Sequence, residues 1–218
     1  MKKIIDLKIK SKNFKHNNVT SLQNFSLTVN QGETIAITGD SGVGKSTLLN
    51  ILGLLDSKYE GYYNLFGHDM KEMSEKEKAS MRNNQIGFVL QESSLINNLT
   101  IKENILLPRL YNTDIPRSEL GKRMMDLARS LDIINVLDKK PLECSGGQKS
   151  RAAFARAVIM HPKLILADEP TASLDESNKE NMISVLKNFN QNNDVTILIV
   201  THDLDVANRF LHQLILKS

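Results

Sequence analysis

The chain has 218 residues, of which 40% are hydrophobic, 24% charged and 5% aromatic, and its formal net charge is +3. These values suit one α/β domain with a subdomain or two, argue against disorder and low complexity, and do not imply nucleic-acid binding. The single cysteine, Cys144, excludes an internal disulfide and a cysteine-based metal site. No apolar run approaches the roughly 18 residues needed to cross a bilayer, and the charged N-terminus, with no apolar stretch after it, does not read as a signal peptide.

In chain order, the opening reads as three antiparallel strands over residues 4–9, 22–29 and 32–38. Lys2, Lys3, Lys8, Lys10, Lys12 and Lys15 fall among Ile5, Leu7 and Ile9, the pattern of a strand with one solvated face. The third strand ends at Gly39 and is followed by Asp40-Ser41-Gly42-Val43-Gly44-Lys45-Ser46-Thr47. This fits G-x-x-x-x-G-K-[ST] at every required position. A helical apolar pattern then starts near Lys45, so the glycine motif sits between a strand and a helix. Glycines let backbone N–H groups turn inward around phosphates, and the helix adds its positive end. In such a loop Lys45 reaches the β- and γ-phosphates and the Ser46 hydroxyl is a Mg²⁺ ligand.

Residues 86–90 read as a further strand ending at Gln91. From about 93 to 163 the signals are helical: Thr100 with Glu103 fits a capping box, and residues 119–131 carry apolar side chains at helical spacing. Ser145 with Gln148 is a second capping box. The helix it starts, with Gly146 and Gly147 bare of side chains, presents an anion site. The core resumes with a strand at 164–167, a helix near 177–190 and a strand at 195–200. Strands alternating with helices predict a mostly parallel sheet with its site at the strand carboxyl ends. Asp168 and Glu169 close an apolar strand there, Asp168 as the magnesium-side carboxylate and Glu169 as the general base.

Ser145-Gly146-Gly147-Gln148, with Arg151 and the run 152–158, resembles the signature of ATP-binding cassette (ABC) ATPases, usually written LSGGQ. The phosphate loop, Gln91, the signature, Asp168-Glu169, Ser173-Leu174-Asp175 and His202 follow in the family's order, so the resemblance covers essentially the whole chain. It implies a P-loop NTPase with a mostly parallel core sheet, an antiparallel β subdomain at the N-terminus and an inserted helical subdomain. The nucleotide-binding core would take about 1–92 and 164–218, and the helical subdomain about 93–163.

The resemblance also implies roles. The ligands are ATP and Mg²⁺, contacted by Gly39, Ser41, Gly42, Gly44, Lys45, Ser46 and Thr47. The signature residues Ser145, Gly146, Gly147 and Gln148 would complete the ATP site of a second copy, giving an ATP-bound homodimer. Gln91 would touch Mg²⁺ or the attacking water, His202 the γ-phosphate and Glu169, and Asp175 would signal across the dimer. Phe14 lies where the family stacks an aromatic on adenine, with Phe25 or a plain core role as competing readings. A membrane permease would dock near Gln91, through Leu95, Ile96, Leu99 and Ile101 unless these are buried in the helical subdomain. That places the chain at the cytoplasmic face of a membrane.

Three positions depart from the family pattern. Cys144 replaces the signature leucine, as a packing residue or, alternatively, a redox switch, and Lys149-Ser150 replace the common Gln-Gln. The resemblance is to the branch of macrolide-export, lipoprotein-release and peptide- or bacteriocin-export ATPases. The competing reading is a cell-division-type ABC ATPase that signals mechanically without transport.

Overall fold

The computed structural model describes residues 2–13, 20–90, 94–112, 115–172 and 174–217. Phe14, Lys15, Gln91 and Ser173, each named in the sequence analysis, lie outside them. Among the described residues no helix is long and apolar enough to cross a membrane.

Two strands open the chain, β1 (Lys3–Asn13) and β2 (Thr20–Asn30), followed by β3 (Thr34–Gly39) and α1 (Lys45–Leu52). Then come β4 (Glu60–Leu65), β5 (His68–Asp69), α2 (Glu75–Gln85) and β6 (Ile86–Val89). The helical stretch holds α3 (Ile101–Leu106), α4 (Arg117–Ser130) and α5 (Gly146–Val158), with short 3₁₀ turns between them. The remaining elements are β7 (Leu164–Asp168), α6 (Glu176–Asn193), β8 (Thr196–Val200), α7 (Leu204–Ala207) and β9 (His212–Leu216).

Two sheets result, one antiparallel in the order β2-β1-β4-β5 and one parallel in the order β6-β7-β8-β3-β9. The expectation that the third strand continues the antiparallel set is corrected here, because β3 pairs in parallel with both β8 and β9. The reason is burial. Ile35, Ala36 and Ile37 are all buried, and a strand covered on both faces belongs inside a helix-flanked parallel sheet.

The parallel strands divide their side chains between two cores. Ala36, Ile165, Ala167, Ile197 and Ile199 face the core filled by α3, α4, α5 and α6. Their alternates Ile35, Ile37, Leu164, Leu166, Leu198 and Val200 face the core shared with α1 and the antiparallel sheet. The period-2 alternation of strands thus builds two cores from one sheet.

The lysine-rich strand is corrected at one position. Lys8 and Lys10 are exposed as expected, but Lys12 is buried. The register of β1 against β4 shifts between Ile9 and Ser11. Beyond this irregularity Lys12 pairs with Asp56 at 2.6 Å and donates to the Lys58 carbonyl at 2.7 Å. Those contacts hold the Asp56 carboxyl below its ordinary range against the burial that raises it.

Candidate functional site

In the parallel sheet β7, β8 and β3 are neighbours, and the register places Asp168 beside Val200 and Val200 beside Ile37. Their carboxyl ends therefore deliver Asp168-Glu169, Thr201-His202 and Gly39 side by side, where open parallel sheets bind ligands. Ser41, Gly42, Gly44, Lys45, Ser46 and Thr47 line the resulting cavity of about 250 Å³ together with Asp168, Glu169, Val200 and His202.

The loop is shaped by its glycines: Gly42 has φ +82°, and Gly44, the N-cap of α1, has φ +105°. Side-chain-bearing residues rarely adopt these angles. Lys45 is buried and its Nζ donates to the carbonyls of Gly39 at 2.7 Å and Asp40 at 2.8 Å, bracing the loop from within. The Ser46 hydroxyl donates to Asp168 Oδ2 at 3.0 Å.

Glu169 leaves β7 in the left-handed region, with φ 45°, while its N–H donates to the Val200 carbonyl at 3.0 Å. Such backbone costs a side-chain-bearing residue about 1–3 kcal/mol and clusters at functional sites. Its side chain is 12% exposed, and His202 Nε2 stands 3.5 Å from Oε1 on a ring that is 57% exposed. That oxygen is buried and accepts no hydrogen bond among the described residues. Burial pushes the Glu169 carboxyl above its usual 4.5 and Asp168 adds to the rise, against the lowering pull of His202 and Lys45. A partly dehydrated carboxylate with a free acceptor is suited to take a proton.

Ser46 and Asp168 put two hard oxygen donors in contact beside the phosphate loop, and no group of three metal-binding side chains occurs among the described residues. This donor set fits Mg²⁺, which keeps waters and takes one or two protein ligands alongside substrate phosphates. The signature residues and Asp175 do not line this cavity. Ser145 caps α5, accepting from the Gln148 N–H at 3.2 Å while its own N–H donates to Gln148 Oε1 at 2.9 Å. Asp175 caps α6, accepting from the Asn178 N–H at 2.8 Å, and these contacts hold its carboxyl low.

Of the apolar residues expected at a docking surface, Ile101 is fully buried, Leu95 and Leu99 are half-buried, and Ile96 is 48% exposed. Ile101 belongs to the core of α3 and α5, which removes it from any dock. Phe25 packs against the second core and lines a concavity on the antiparallel sheet that contains no phosphate-loop residue.

Sequence reasoning missed Asn104, Asn178 and Lys179. Asn104 is fully buried. Its Oδ1 accepts from the Ile96 N–H at 2.7 Å, and its Nδ2 donates to the Thr100 carbonyl at 2.9 Å, pinning the loop before α3. Arg156 of α5 donates to the Ser94 carbonyl at 2.9 Å, so the signature helix holds the same loop. The partners are scattered along the chain, and only the buried polar side chain itself could have signalled a network.

The family described as ABC transporter matches residues 22–172. A relative named bacitracin export ATP-binding protein BceA, from Halalkalibacterium halodurans, is 42% identical over 194 residues, covering 89% of this chain and 76% of its own. The lipoprotein-releasing system ATP-binding protein LolD of Psychrobacter arcticus is 39% identical over 197 residues, covering 90% and 87%. A solved dimeric structure of the ATP-binding cassette MJ0796, described as a post-hydrolysis state bound to ADP and Pi, superposes with a TM-score of 0.89. It is 34% identical and covers 98% of this chain and 94% of its own.

Proposed function

This chain belongs to the ATP-binding cassette transporter family and is an ATPase, and on that premise we propose that two copies close around two ATP molecules to drive an export or extraction permease. The observation that carries the dimer is Gly146. It opens α5 on an exposed surface, and nothing lies within 4 Å of where a Cβ would stand. The bare backbone at this exposed helix start leaves room for a ligand from outside the monomer to approach the N–H groups. The capped N-terminus of α5 offers its N–H groups to an anion, and the phosphate of a partner's ATP is the anion that a two-fold arrangement supplies. The dimeric ADP- and Pi-bound relative supports this reading.

In the proposed reaction Glu169 takes the proton of the attacking water, and His202 holds Glu169 and the γ-phosphate together. Lys45 leaves its carbonyl partners for the β- and γ-phosphates. Ser46 and Asp168 would hold Mg²⁺, which when bound supplies charge neutralisation at the phosphates. Loss of the γ-phosphate removes its contacts to the signature and His202, and the dimer opens. ATP must favour the closed state over the open one more than ADP does, since only differential affinity shifts such an equilibrium.

The loop 94–100, pinned by Asn104 and Arg156 and exposing Ile96, lies just after Gln91 and is the surface we assign to the permease. The names of the relatives support a peptide, lipoprotein or amphipathic drug as cargo, and the permease would hold the chain at the cytoplasmic membrane face. Affinity purification of Glu169→Gln from native membranes in detergent, with ATP and Mg²⁺, tests this. A stoichiometric permease among the co-purified chains is expected. Recovery of a cell-division partner or of soluble proteins alone would overturn the transport assignment.

A further inference from the structure

The first two turns of α6 touch both the signature helix and the segment that carries His202. On one side, Arg151 of α5 is buried and its Nη1 donates to Asn178 Oδ1. Asn178 in turn donates through Nδ2 to Asp175 Oδ2 at 2.7 Å. On the other side, Lys179 Nζ donates to Asp203 Oδ2 at 3.0 Å and pairs with Glu176 Oε2 at 2.8 Å. Asp203 is the residue after His202, and its carboxylate is fully shared. While Oδ2 meets Lys179, Oδ1 caps α7 by accepting from the N–H groups of Asp205 at 2.9 Å and Val206 at 3.2 Å. Its own N–H donates to Thr201 Oγ1 at 3.1 Å. His202 is thus the exposed middle of a three-residue segment whose flanking residues bond one another, with Lys179 as its tie to α6.

We propose that Lys179 is a positioning residue for ATP hydrolysis, locking Asp203 so that His202 stays over Glu169 while linking that segment to the α6 turn that bears on the signature helix. The proposal rests on the reading that His202 and Glu169 act together on the γ-phosphate. His202 Nε2 is already 3.5 Å from Glu169 Oε1 with more than half of its side chain exposed, so packing does little to hold the ring in register. A group held mainly through its backbone neighbours is sensitive to their tether, and misplacement of a catalytic group by about 1 Å costs on the order of 100-fold. Among the described residues the other polar tie between α6 and this region, the paired contacts of Arg209 with Glu180, holds the chain after α7 and leaves the Asp203 carboxylate to Lys179. On the α5 side, a Cβ on Gly147 would stand 3.4 Å from both Arg151 Nη1 and Asn178 Nδ2. Movement of the signature turn therefore bears on the same α6 turn. One chain then carries a mechanical link between the signature it lends to its partner and the histidine it keeps for itself.

The test compares ATP hydrolysis by the full chain with its Lys179→Met, Lys179→Arg, Asp203→Asn and double Lys179→Met/Asp203→Asn variants. Asparagine retains the α7 cap, so Asp203→Asn loosens the tie and spares the fold. The expected result is a fall of about 10- to 100-fold in kcat for Lys179→Met, with KM for ATP within about twofold, and recovery in Lys179→Arg. The double variant should be no worse than the poorer single one, the non-additivity of residues that act as a unit. Amide hydrogen exchange over 201–207 should quicken in Lys179→Met and not in Lys179→Arg, a reading that needs no turnover. Wild-type kcat and exchange in Lys179→Met, or additive losses in the double variant, would overturn the proposal. His202→Ala separates it from its premise: if that variant hydrolyses at the wild-type rate the shared reading fails, and if it is dead while Lys179→Met is intact only the Lys179 assignment fails.

Discussion

The Ser46 hydroxyl donates to Asp168 Oδ2 at 3.0 Å, joining the first turn of α1 to the last residue of β7. Two segments more than a hundred positions apart thereby present paired oxygens at one edge of the phosphate loop. Removing the hydroxyl in Ser46→Ala should raise the Mg²⁺ concentration for half-maximal turnover by about 10- to 100-fold, the usual scale for disturbing a metal's surroundings. A Mg²⁺ titration of the hydrolysis rate checks this, and an unchanged midpoint would remove Ser46 from the metal site.

Glu169→Gln should cut turnover by about 10²- to 10⁴-fold while nucleotide binding persists. In the wild type the acid limb of kcat should fall at a pH above 4.5, because burial raises this carboxyl and the base acts only when ionised. Stability moves the opposite way. A carboxyl raised in the folded state favours folding below its unfolded pKa, and that advantage is lost as pH rises through the folded one. The glutamine variant should therefore be the more stable protein at pH 7, with the difference gone below pH 4.5. Thermal unfolding at the two pH values reads it directly.

Gly146→Ala meets open space within the chain. Its melting temperature should match the wild type while ATP-dependent dimerisation collapses, as scored by size-exclusion chromatography with ATP on the Glu169→Gln background, and turnover should collapse in the chain that keeps Glu169. A variant that still dimerises would place the signature's role elsewhere.

Gly53 tells the opposite story. It caps α1, and a Cβ there would overlap the Phe88 ring of β6. Overpacking of this kind costs about 1–3 kcal/mol, so Gly53→Ala should lower the urea midpoint with little change in kcat per folded molecule.

Cys144 packs against the larger core, its Sγ contacts the Lys140 carbonyl at 3.4 Å, and burial raises its pKa. A thiol held protonated reacts slowly. Cys144→Leu should keep activity, and oxidant treatment should inhibit the wild type no more than this variant.

The phosphate loop was legible in the sequence because its requirements are local: a strand, fixed glycines, Lys45 and a helix. The caps at Thr100–Glu103 and Ser145–Gln148 were equally local, and both appear as reciprocal hydrogen bonds. A third box, Ser74–Glu77, was there to be read, yet α2 buries only Met81 and so carries little apolar periodicity. β5 and β9 escaped for a related reason, being edge strands whose outward side chains dilute the pattern, with Ile215 of β9 60% exposed; β4 is an inner strand but buries only Tyr63 and Leu65. The direction of β3 could not be told from its own residues, because it is set by partners more than 150 positions away. The Lys179–Asp203 and Arg151–Asn178 contacts are written in no local spacing at all.

The adjacency of β3, β7 and β8 also fixes when the site can exist. Its three strand ends come from Thr34–Gly39, Leu164–Asp168 and Thr196–Val200, and β3 can pair with β8 only after residue 200 has emerged from the ribosome. Pairings of such sequence separation form slowly and leave unpaired edges meanwhile. For most of the synthesis of these residues the nascent chain thus displays a glycine loop with no carboxylates opposite it, and the whole site is open to ATP only once β8 is in place.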